Sequence, residues 1–120
     1  MNFTNLVPSI FYADVNDALK LFIDCLEFRI KHSELGSENS FCVIEKNGLE
    51  LMLFENKELA NEHHPELRLV TKDIEEVYNN VALSHPEFLH PNLNKVTLRP
   101  WGAKEFALRD KQLGIRIQQW

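Results

Sequence analysis

Two segments of the chain carry apolar residues at the spacing of an amphipathic helix. Offsets of three, four and seven residues bring side chains to one helical face, which then packs against a core. Both segments begin after an aspartate, and the sequence therefore predicts two helices with the same phase. Their apolar positions are Val15, Ala18, Leu19, Phe22 and Leu26 in the first and Ile74, Val77, Tyr78 and Val81 in the second.

The residues that precede these stripes are suited to begin helices. Asp14 and Asp73 are N-cap candidates, because a carboxylate accepts the free N–H groups of a first helical turn. Asp17 and Glu76 follow three residues later, which is the spacing of a capping box. The two helix starts are therefore predicted at equivalent points of a repeat.

Runs with strand character surround each predicted helix. In the first half they are residues 6–12, 28–32, 40–46 and 49–54, and Asn47-Gly48 marks a hairpin turn between the last two. In the second half they are residues 66–71, 96–98, 105–109 and 115–120, after a weaker stretch at 86–94. The chain is thus predicted to be an α+β protein made of two tandem βαβββ units.

Two modules of one domain are expected, at about residues 5–55 and 65–120, joined by a short polar helix or linker at about 56–64. The closing hairpins align when residues 41–51 are matched with residues 106–117, with one extra residue in the second turn. A single 120-residue domain is long enough to bury a core.

Alternation along the strands predicts two different sheet faces. One face is apolar and should pack under the helices; it includes Ile10, Leu49, Leu51, Leu53, Leu67, Leu69, Ile115 and Ile117. The opposite face mixes aromatic, amide and charged groups, which is the usual composition of a small-molecule site. It includes Val7, Ser9, Phe11, Glu50, Met52, Phe54, Glu66, Arg68, Val70, Arg116, Gln118 and Trp120.

Charge and composition narrow the possible partners. The net charge of −5 lacks the basic field that nucleic-acid and anionic-membrane binders need, so neither partner is expected. Neither a signal peptide nor a membrane-length apolar run is recognisable, and a cytoplasmic location is expected. Cys25 and Cys42 are expected to be reduced, buried thiols.

Two stretches carry a resemblance to a known family. Val7-Pro-Ser-Ile-Phe-Tyr-Ala-Asp-Val-Asn-Asp-Ala-Leu-Lys-Leu-Phe and Arg99-Pro-Trp-Gly-Ala-Lys-Glu-Phe-Ala-Leu-Arg-Asp resemble the opening and closing signatures of the glyoxalase/bleomycin resistance/dioxygenase superfamily. The second stretch is most similar to the bleomycin resistance proteins. Leu26-Glu27-Phe28 departs from the usual Leu-Gly-Phe, and residues 111–114 replace the usual Asp-Pro-Asp-Gly turn. The resemblance implies a mixed sheet curved around a cavity.

The resemblance also locates four positions where metal-using members of the superfamily place ligands. Here they carry Val7, Met52, Glu66 and Gln118, a poor donor set for a hard divalent ion, so neither a metal nor another cofactor is expected. A register shift of two residues would bring His64 to the position of Glu66. A metal-dependent lyase or dioxygenase acting on an unknown small substrate is therefore the alternative function.

The favoured function is a metal-free binding protein of the bleomycin-resistance type. In that family two subunits exchange βαβββ units and hold a planar cationic drug between aromatic groups at the dimer interface, and Trp101 corresponds to the stacking aromatic. A homodimer that sequesters a planar, optionally cationic compound is expected, with an antibiotic-resistance role. The predicted ligand-binding residues are Phe11, Phe41, Glu50, Phe54, Glu66, Arg68, Trp101, Glu105, Arg116, Gln118 and Trp120.

Two further readings stay open from the residues themselves. Arg68 and Arg116 face the mixed side of the predicted sheet and could select a carboxylate or phosphate-bearing compound instead of a cation. A binding or sensing module without a resistance role fits the same pattern. Since a nucleophile–base signature and a phosphate-binding glycine loop are not recognisable, no catalytic residues are predicted.

Overall fold

The computed structural model describes residues 1–36 and 38–120 and divides the chain into two compact units, Met1–His63 and His64–Trp120. Each unit contains one four-stranded mixed sheet. The predicted α+β fold with two βαβββ repeats is confirmed. No helix within the described residues is long and apolar enough to cross a membrane.

Unit 1 orders its strands β1-β4-β3-β2, with β1 parallel to β4 and the other pairs antiparallel. Asn47 and Gly48 have φ angles of 52° and 83°, the left-handed conformation of the predicted two-residue hairpin turn. The linker segment forms a short helix. The elements are β1 Ser9–Tyr12, α1 Val15–Leu19, a π-helix Lys20–Cys25, β2 Arg29–Glu34, β3 Phe41–Lys46, β4 Leu49–Glu55 and α2 Lys57–Glu62.

Unit 2 repeats this arrangement in the order β5-β8-β7-β6, with β5 parallel to β8. The weakly patterned stretch after the helix forms a 3₁₀ turn, Pro86–Phe88, and then runs beside β7, where the Ala107 amide donates to the Leu93 carbonyl and the His90 amide donates to the Ala107 carbonyl. The elements are β5 Glu66–Val70, α3 Ile74–Ser84, β6 Thr97–Leu98, β7 Lys104–Arg109 and β8 Gly114–Gln119.

The first helix departs from the regular α-helix that the apolar spacing predicts. From Lys20 to Cys25 it is a π-helix, and the Leu26 amide donates to the Leu21 carbonyl over a distance of 3.0 Å. Within the wider turn Leu21 and Cys25 are buried, whereas Leu19, directly before it, is only partly buried. Leu21 therefore replaces Leu19 on the core-facing stripe.

The predicted N-caps are confirmed, but the second capping box is wrong. The Asp14 side chain accepts from the Asn16 amide at 2.9 Å, and the Asp73 side chain accepts from the Glu76 amide at 3.2 Å. In a capping box the acid at the third position would accept from the amide of the cap residue. The Asp73 amide instead donates to Thr71 Oγ1 at 3.2 Å.

The two sheets show that the hairpin alignment from the sequence is displaced by one residue. Phe41 lies opposite Phe54 on β3 and β4, and Glu105 lies opposite Gln118 on β7 and β8. Because Phe54 lies opposite Phe11 and Gln118 lies opposite Val70 on the parallel strands, Phe41 is equivalent to Glu105 and not to Phe106. In this register the two hairpin connections have equal length.

The core of each unit lies between its sheet and its helices. Leu51 and Leu53 are buried as predicted, but Leu49 at the hairpin end is 51% exposed. Cys25 and Cys42 are both buried as expected, and burial raises the pKa of the Cys42 thiol. Glu27, which stands where the resembled family has glycine, has a φ of 61° and therefore a conformation that favours glycine.

The π-helix can be tested by a pair of matched truncations. Leu21→Ala removes a fully buried side chain and is expected to lower the free energy of unfolding by about 2–5 kcal/mol, whereas Leu19→Ala should cost clearly less. Denaturant unfolding followed by circular dichroism measures both. A larger loss for Leu19→Ala than for Leu21→Ala would mean that the helix is regular.

Candidate functional site

The most unusual side chain on the mixed face of unit 2 is the carboxylate of Glu105, which is fully buried. Its Oε2 atom accepts from Gln118 Nε2 at 2.7 Å and from Trp101 Nε1 at 2.9 Å. A buried charge is costly unless hydrogen bonds and opposite charges replace water. Glu105 therefore depends on side chains from β8 and from the loop before β7.

Three arginines accompany this carboxylate. Together with Glu66 and Glu105 they form a chain of alternating charges, here called the arginine–glutamate chain. Its successive atom pairs are Arg68 Nη2–Glu66 Oε1 at 3.1 Å, Glu66 Oε1–Arg116 Nε at 3.6 Å, Arg116 Nη1–Glu105 Oε1 at 3.5 Å and Glu105 Oε1–Arg99 Nε at 3.9 Å.

The surroundings of Glu105 keep it ionised. Burial raises the pKa of its carboxyl group. The hydrogen bonds from Gln118 and Trp101 and the charges of Arg116 and Arg99 lower the pKa by more than burial raises it, so the resulting pKa lies below the usual glutamate value. The carboxylate thus serves as a fixed negative charge that orients four neighbouring side chains.

Trp101 is held in one orientation by this network. Its indole N–H donates to Glu105, the Arg99 guanidinium lies 4.8 Å from the ring centroid, and 48% of the residue is exposed. A ring that is both fixed and partly exposed can stack on a planar ligand at a small cost in conformational entropy. Trp101 is the predicted stacking aromatic.

A cleft of about 340 Å³ opens beside the arginine–glutamate chain within unit 2. The loop that runs along β7 forms one wall, and the starts of β5 and β8 form another. Its lining combines cationic, amide and apolar groups, among them Glu66, His90, Asn92, Leu93, Arg99 and Arg116. The volume is that of a site for a small molecule or a part of one.

Unit 1 carries aromatic rings at the sheet positions that correspond to Val70, Glu105 and Gln118 of unit 2. The Phe11 and Phe54 ring centroids are 5.7 Å apart at an interplanar angle of 27°, and those of Phe41 and Phe54 are 6.0 Å apart at 29°. His63 lies beside Phe11, and His32 lies beside Phe41. Phe11, Phe41 and Phe54 are called here the phenylalanine patch; all three rings are partly exposed.

The four positions where a metal was considered do not fit a hard divalent ion. Val7 has no donor atom and Met52 offers a thioether, while Glu66 is paired with two arginines and Gln118 donates its amide to Glu105. The strand register also corrects the assignment, because the equivalent of Met52 in unit 2 is Arg116 and not Gln118. A guanidinium at that position would repel a cation.

His64 does not occupy the position of Glu66. Its Nδ1 lies 3.2 Å from the Gln112 carbonyl oxygen, and Glu66 begins β5 opposite Gly114. The register shift that would have made His64 a ligand is therefore absent. Among the described residues, no three histidine, cysteine, aspartate or glutamate side chains come together where they could bind a metal.

Apart from Trp120, the predicted ligand-binding residues divide into one set in each unit. Unit 1 contains the phenylalanine patch and Glu50, whose carboxylate lies 2.7 Å from Lys31 Nζ. Trp120 is 70% exposed, and nothing in the described structure ties it to the Glu105 network. Unit 2 brings together Glu66, Arg68, Trp101, Glu105, Arg116 and Gln118.

Several site residues were missed from the sequence. Arg99 directly precedes Pro100-Trp101 and could have been found from its place in that stretch. His90 and Asn92 lie in the weakly patterned loop, whose path along β7 the sequence does not indicate. His32 was not singled out because it has no metal-ligand spacing to another histidine, and His63 was considered only as the neighbour of His64.

Solved structures share this fold over nearly the whole chain. A bleomycin-binding protein in complex with bleomycin is 20% identical, with a TM-score of 0.75 over 98% of this chain and 99% of the other. The bleomycin-binding protein of Streptomyces verticillus, complexed with copper(II)-bleomycin, is 18% identical, with a TM-score of 0.70 over 98% and 96% of the two chains.

The same fold occurs in an enzyme. Lactoylglutathione lyase from Agrobacterium tumefaciens is 10% identical, with a TM-score of 0.74 over 98% of this chain and 95% of the other. No family model matches the chain, and no curated protein matches it. The resemblance to the glyoxalase/bleomycin resistance fold is therefore confirmed at the level of the fold, which serves both binding proteins and enzymes.

The role of Glu105 predicts a specific pH dependence. Because its pKa is lowered in the folded protein, the ionised carboxylate stabilises the fold above the ordinary glutamate pKa, and this stabilisation is lost as the pH falls through the lowered value. Glu105→Gln should lower the free energy of unfolding at neutral pH by about 3 kcal/mol. The gap to the wild type should narrow as the pH falls below the usual glutamate pKa and through the lowered pKa of Glu105.

Denaturant titrations at a series of pH values measure this difference. Glu62→Gln is the matched control, because Glu62 is exposed and its carboxyl group is not part of the chain of charges. A gap between wild type and Glu105→Gln that stayed constant down to acidic pH would contradict the ionised, stabilising state of Glu105.

Proposed function

We propose that this protein binds planar small molecules without a metal ion, and that the phenylalanine patch of unit 1 and Trp101 of unit 2 each serve as a stacking surface of their own unit. The observation that carries the proposal is the partly exposed stack of Phe11, Phe54 and Phe41 on the sheet face opposite the helices. Bleomycin-binding proteins of the same fold support it.

The phenylalanine patch has the properties of a binding surface and not of a core. The apolar core of unit 1 lies on the other sheet face, where Ile10, Cys42 and Leu53 alternate with the patch and are at most 1% exposed. Each ring of the patch is partly exposed, whereas a neighbouring residue on the same strand is buried in the core. A flat aromatic ligand would cover this apolar area and gain stacking contacts.

Trp101 supplies a second stacking surface with a different electronic character. One side of its ring is near the Arg99 guanidinium, and its N–H is used by Glu105. A ligand ring can therefore approach the indole without reorienting it, and the hydrogen bond need not be broken. The remaining predicted residues of unit 2, Glu66, Arg68, Arg116 and Gln118, would supply polar contacts to a ligand stacked on Trp101.

The charge of the ligand is the part of the sequence prediction that the described contacts support least. Glu50 is paired with Lys31, and Glu66 and Glu105 are paired with arginines. A carboxylate that already has a cationic partner attracts a second cation weakly. The proposed ligand is thus defined by its planar shape and not by a positive charge.

We also propose that the protein is a homodimer. Apolar side chains of the N-terminal segment, Met1, Phe3 and Leu6, are exposed, and the edge strand β2 is exposed along its whole length. Exposed apolar residues and open strand edges are commonly covered by a partner. Sedimentation equilibrium is expected to give twice the chain mass of 14.0 kDa, and a monomer across the concentration range would contradict the proposal.

Binding is tested with metal-free bleomycin as the probe. Isothermal titration calorimetry in the presence of a chelator should show saturable binding to the wild type. Trp101→Ala and Phe54→Leu should each weaken it by about 1–3 kcal/mol, the usual scale for an aromatic anchor. Phe88→Leu, which makes the same substitution at a partly exposed ring in the 3₁₀ turn of unit 2, is the control and should bind as the wild type does.

The same preparation distinguishes the alternative function. Metal analysis of protein purified without chelator is expected to find no stoichiometric metal, while a stoichiometric divalent ion would favour a lyase or dioxygenase. Protection of a bleomycin-sensitive bacterium by the wild type but not by Trp101→Ala would support a resistance role. Saturable binding without protection would favour a sensing or carrier role.

A further inference from the structure

The arginine–glutamate chain of unit 2 contains more positive than negative charge. Arg68, Arg116 and Arg99 alternate with Glu66 and Glu105, so three guanidinium groups share two carboxylates. Two of these guanidinium groups, those of Arg99 and Arg116, line the open cleft, and together they favour an anion there.

The hydrogen-bonding capacity of the chain is also incompletely used. Glu105 Oε2 accepts from Trp101 and Gln118, whereas Oε1 lies 3.5 Å from Arg116 Nη1 and 3.9 Å from Arg99 Nε, longer than an ordinary charged hydrogen bond. Among the described residues, Arg99 Nε is a buried polar atom without a hydrogen-bond partner. Buried N–H groups are normally hydrogen-bonded, so Arg99 retains hydrogen-bonding capacity beyond its ion pair with Glu105.

The cleft offers further donors on its opposite wall. His90 Nδ1 accepts from the Asn92 amide at 3.1 Å, so the neutral imidazole carries its hydrogen on Nε2. His90, Asn92, Arg99 and Arg116 all line the cleft of about 340 Å³. Glu66 lines it too, but Arg68 and Arg116 neutralise that carboxylate.

We propose that this cleft binds the oxyanion group, a carboxylate or a phosphate, of a small molecule, with Arg99 and Arg116 as its principal ligands and His90 as an additional donor. The proposal goes beyond the binding of a planar ring, since it concerns an anionic group. Arg116 is shared with the polar contacts proposed above, whereas Arg99 and His90 are new. The planar guanidinium groups of Arg99 and Arg116 have donors that match the paired oxygens of either anion.

The Nε–H group of Arg99 can report anion binding directly. In ¹H–¹⁵N spectra of the full-length wild type, the Nε–Hε signal of Arg99 is expected to shift saturably when benzoate or phenyl phosphate is added. Benzamide has the same ring without the charge and should leave the signal in place. Saturation with benzoate but not with phenyl phosphate would identify a carboxylate site, and the reverse would identify a phosphate site.

Substitutions then assign the binding energy to the chain. Arg99→Gln and Arg116→Gln should each weaken the preferred anion about tenfold or more, the effect expected for a lost charged hydrogen bond. Arg29→Gln removes the same charge from β2 of unit 1, where Arg29 is paired with Glu45, and should leave the affinity unchanged. Arg99→Lys keeps the positive charge but lacks the forked guanidinium donors. It therefore separates the loss of these donors from a folding defect caused by the loss of charge.

The proposal is overturned if neither anion shifts the Arg99 signal more than chloride at matched ionic strength. It is also overturned if Arg29→Gln weakens binding as much as Arg99→Gln does, because the anion would then respond to net charge alone. Metal-free bleomycin binding depends on Phe54 and is measured separately, so failure of one proposal leaves the other decidable.

Discussion

The structure of unit 2 depends on the compensation of one buried carboxylate, that of Glu105. Full burial would favour its neutral form, yet the hydrogen bonds of Gln118 and Trp101 and the nearby arginines keep its pKa low. This requirement determines the conformation of the loop before β7, because Trp101 must reach Glu105 four residues later. The polar site and the stacking surface of Trp101 are consequences of the same constraint.

The two units show how one backbone pattern supports different chemistry. At three equivalent sheet positions unit 1 has Phe11, Phe41 and Phe54, whereas unit 2 has Val70, Glu105 and Gln118. The rings of unit 1 stack on each other and need no hydrogen bonds. The carboxylate and amide of unit 2 need hydrogen-bonding or charged partners, and Arg99 and Arg116 beside the cleft are two of them. An aromatic surface and a charged cleft thus occupy corresponding faces.

Much of the fold was predictable because local patterns and tertiary packing agree. Strand alternation identified the buried face, and the aspartates at positions 14 and 73 identified both helix starts. The π-helix was not predictable, since Leu19 and Leu21 are equally apolar and only packing decides which is buried. The hairpin register was missed for a similar reason, because Phe41 and Phe106 look alike in sequence but face opposite sides of their sheets.

The site was predictable as a set of residues but not as an arrangement. Alternation places Glu66, Arg68 and Arg116 on one face, but the order of charges along the chain depends on strand register and on Arg99 from a loop. That arrangement bears directly on chemistry, because this fold occurs in binding proteins and in a lyase. With Arg116 at the equivalent of Met52 and Glu66 paired with two arginines, the charges on the polar face favour the anion proposed above over a metal cation.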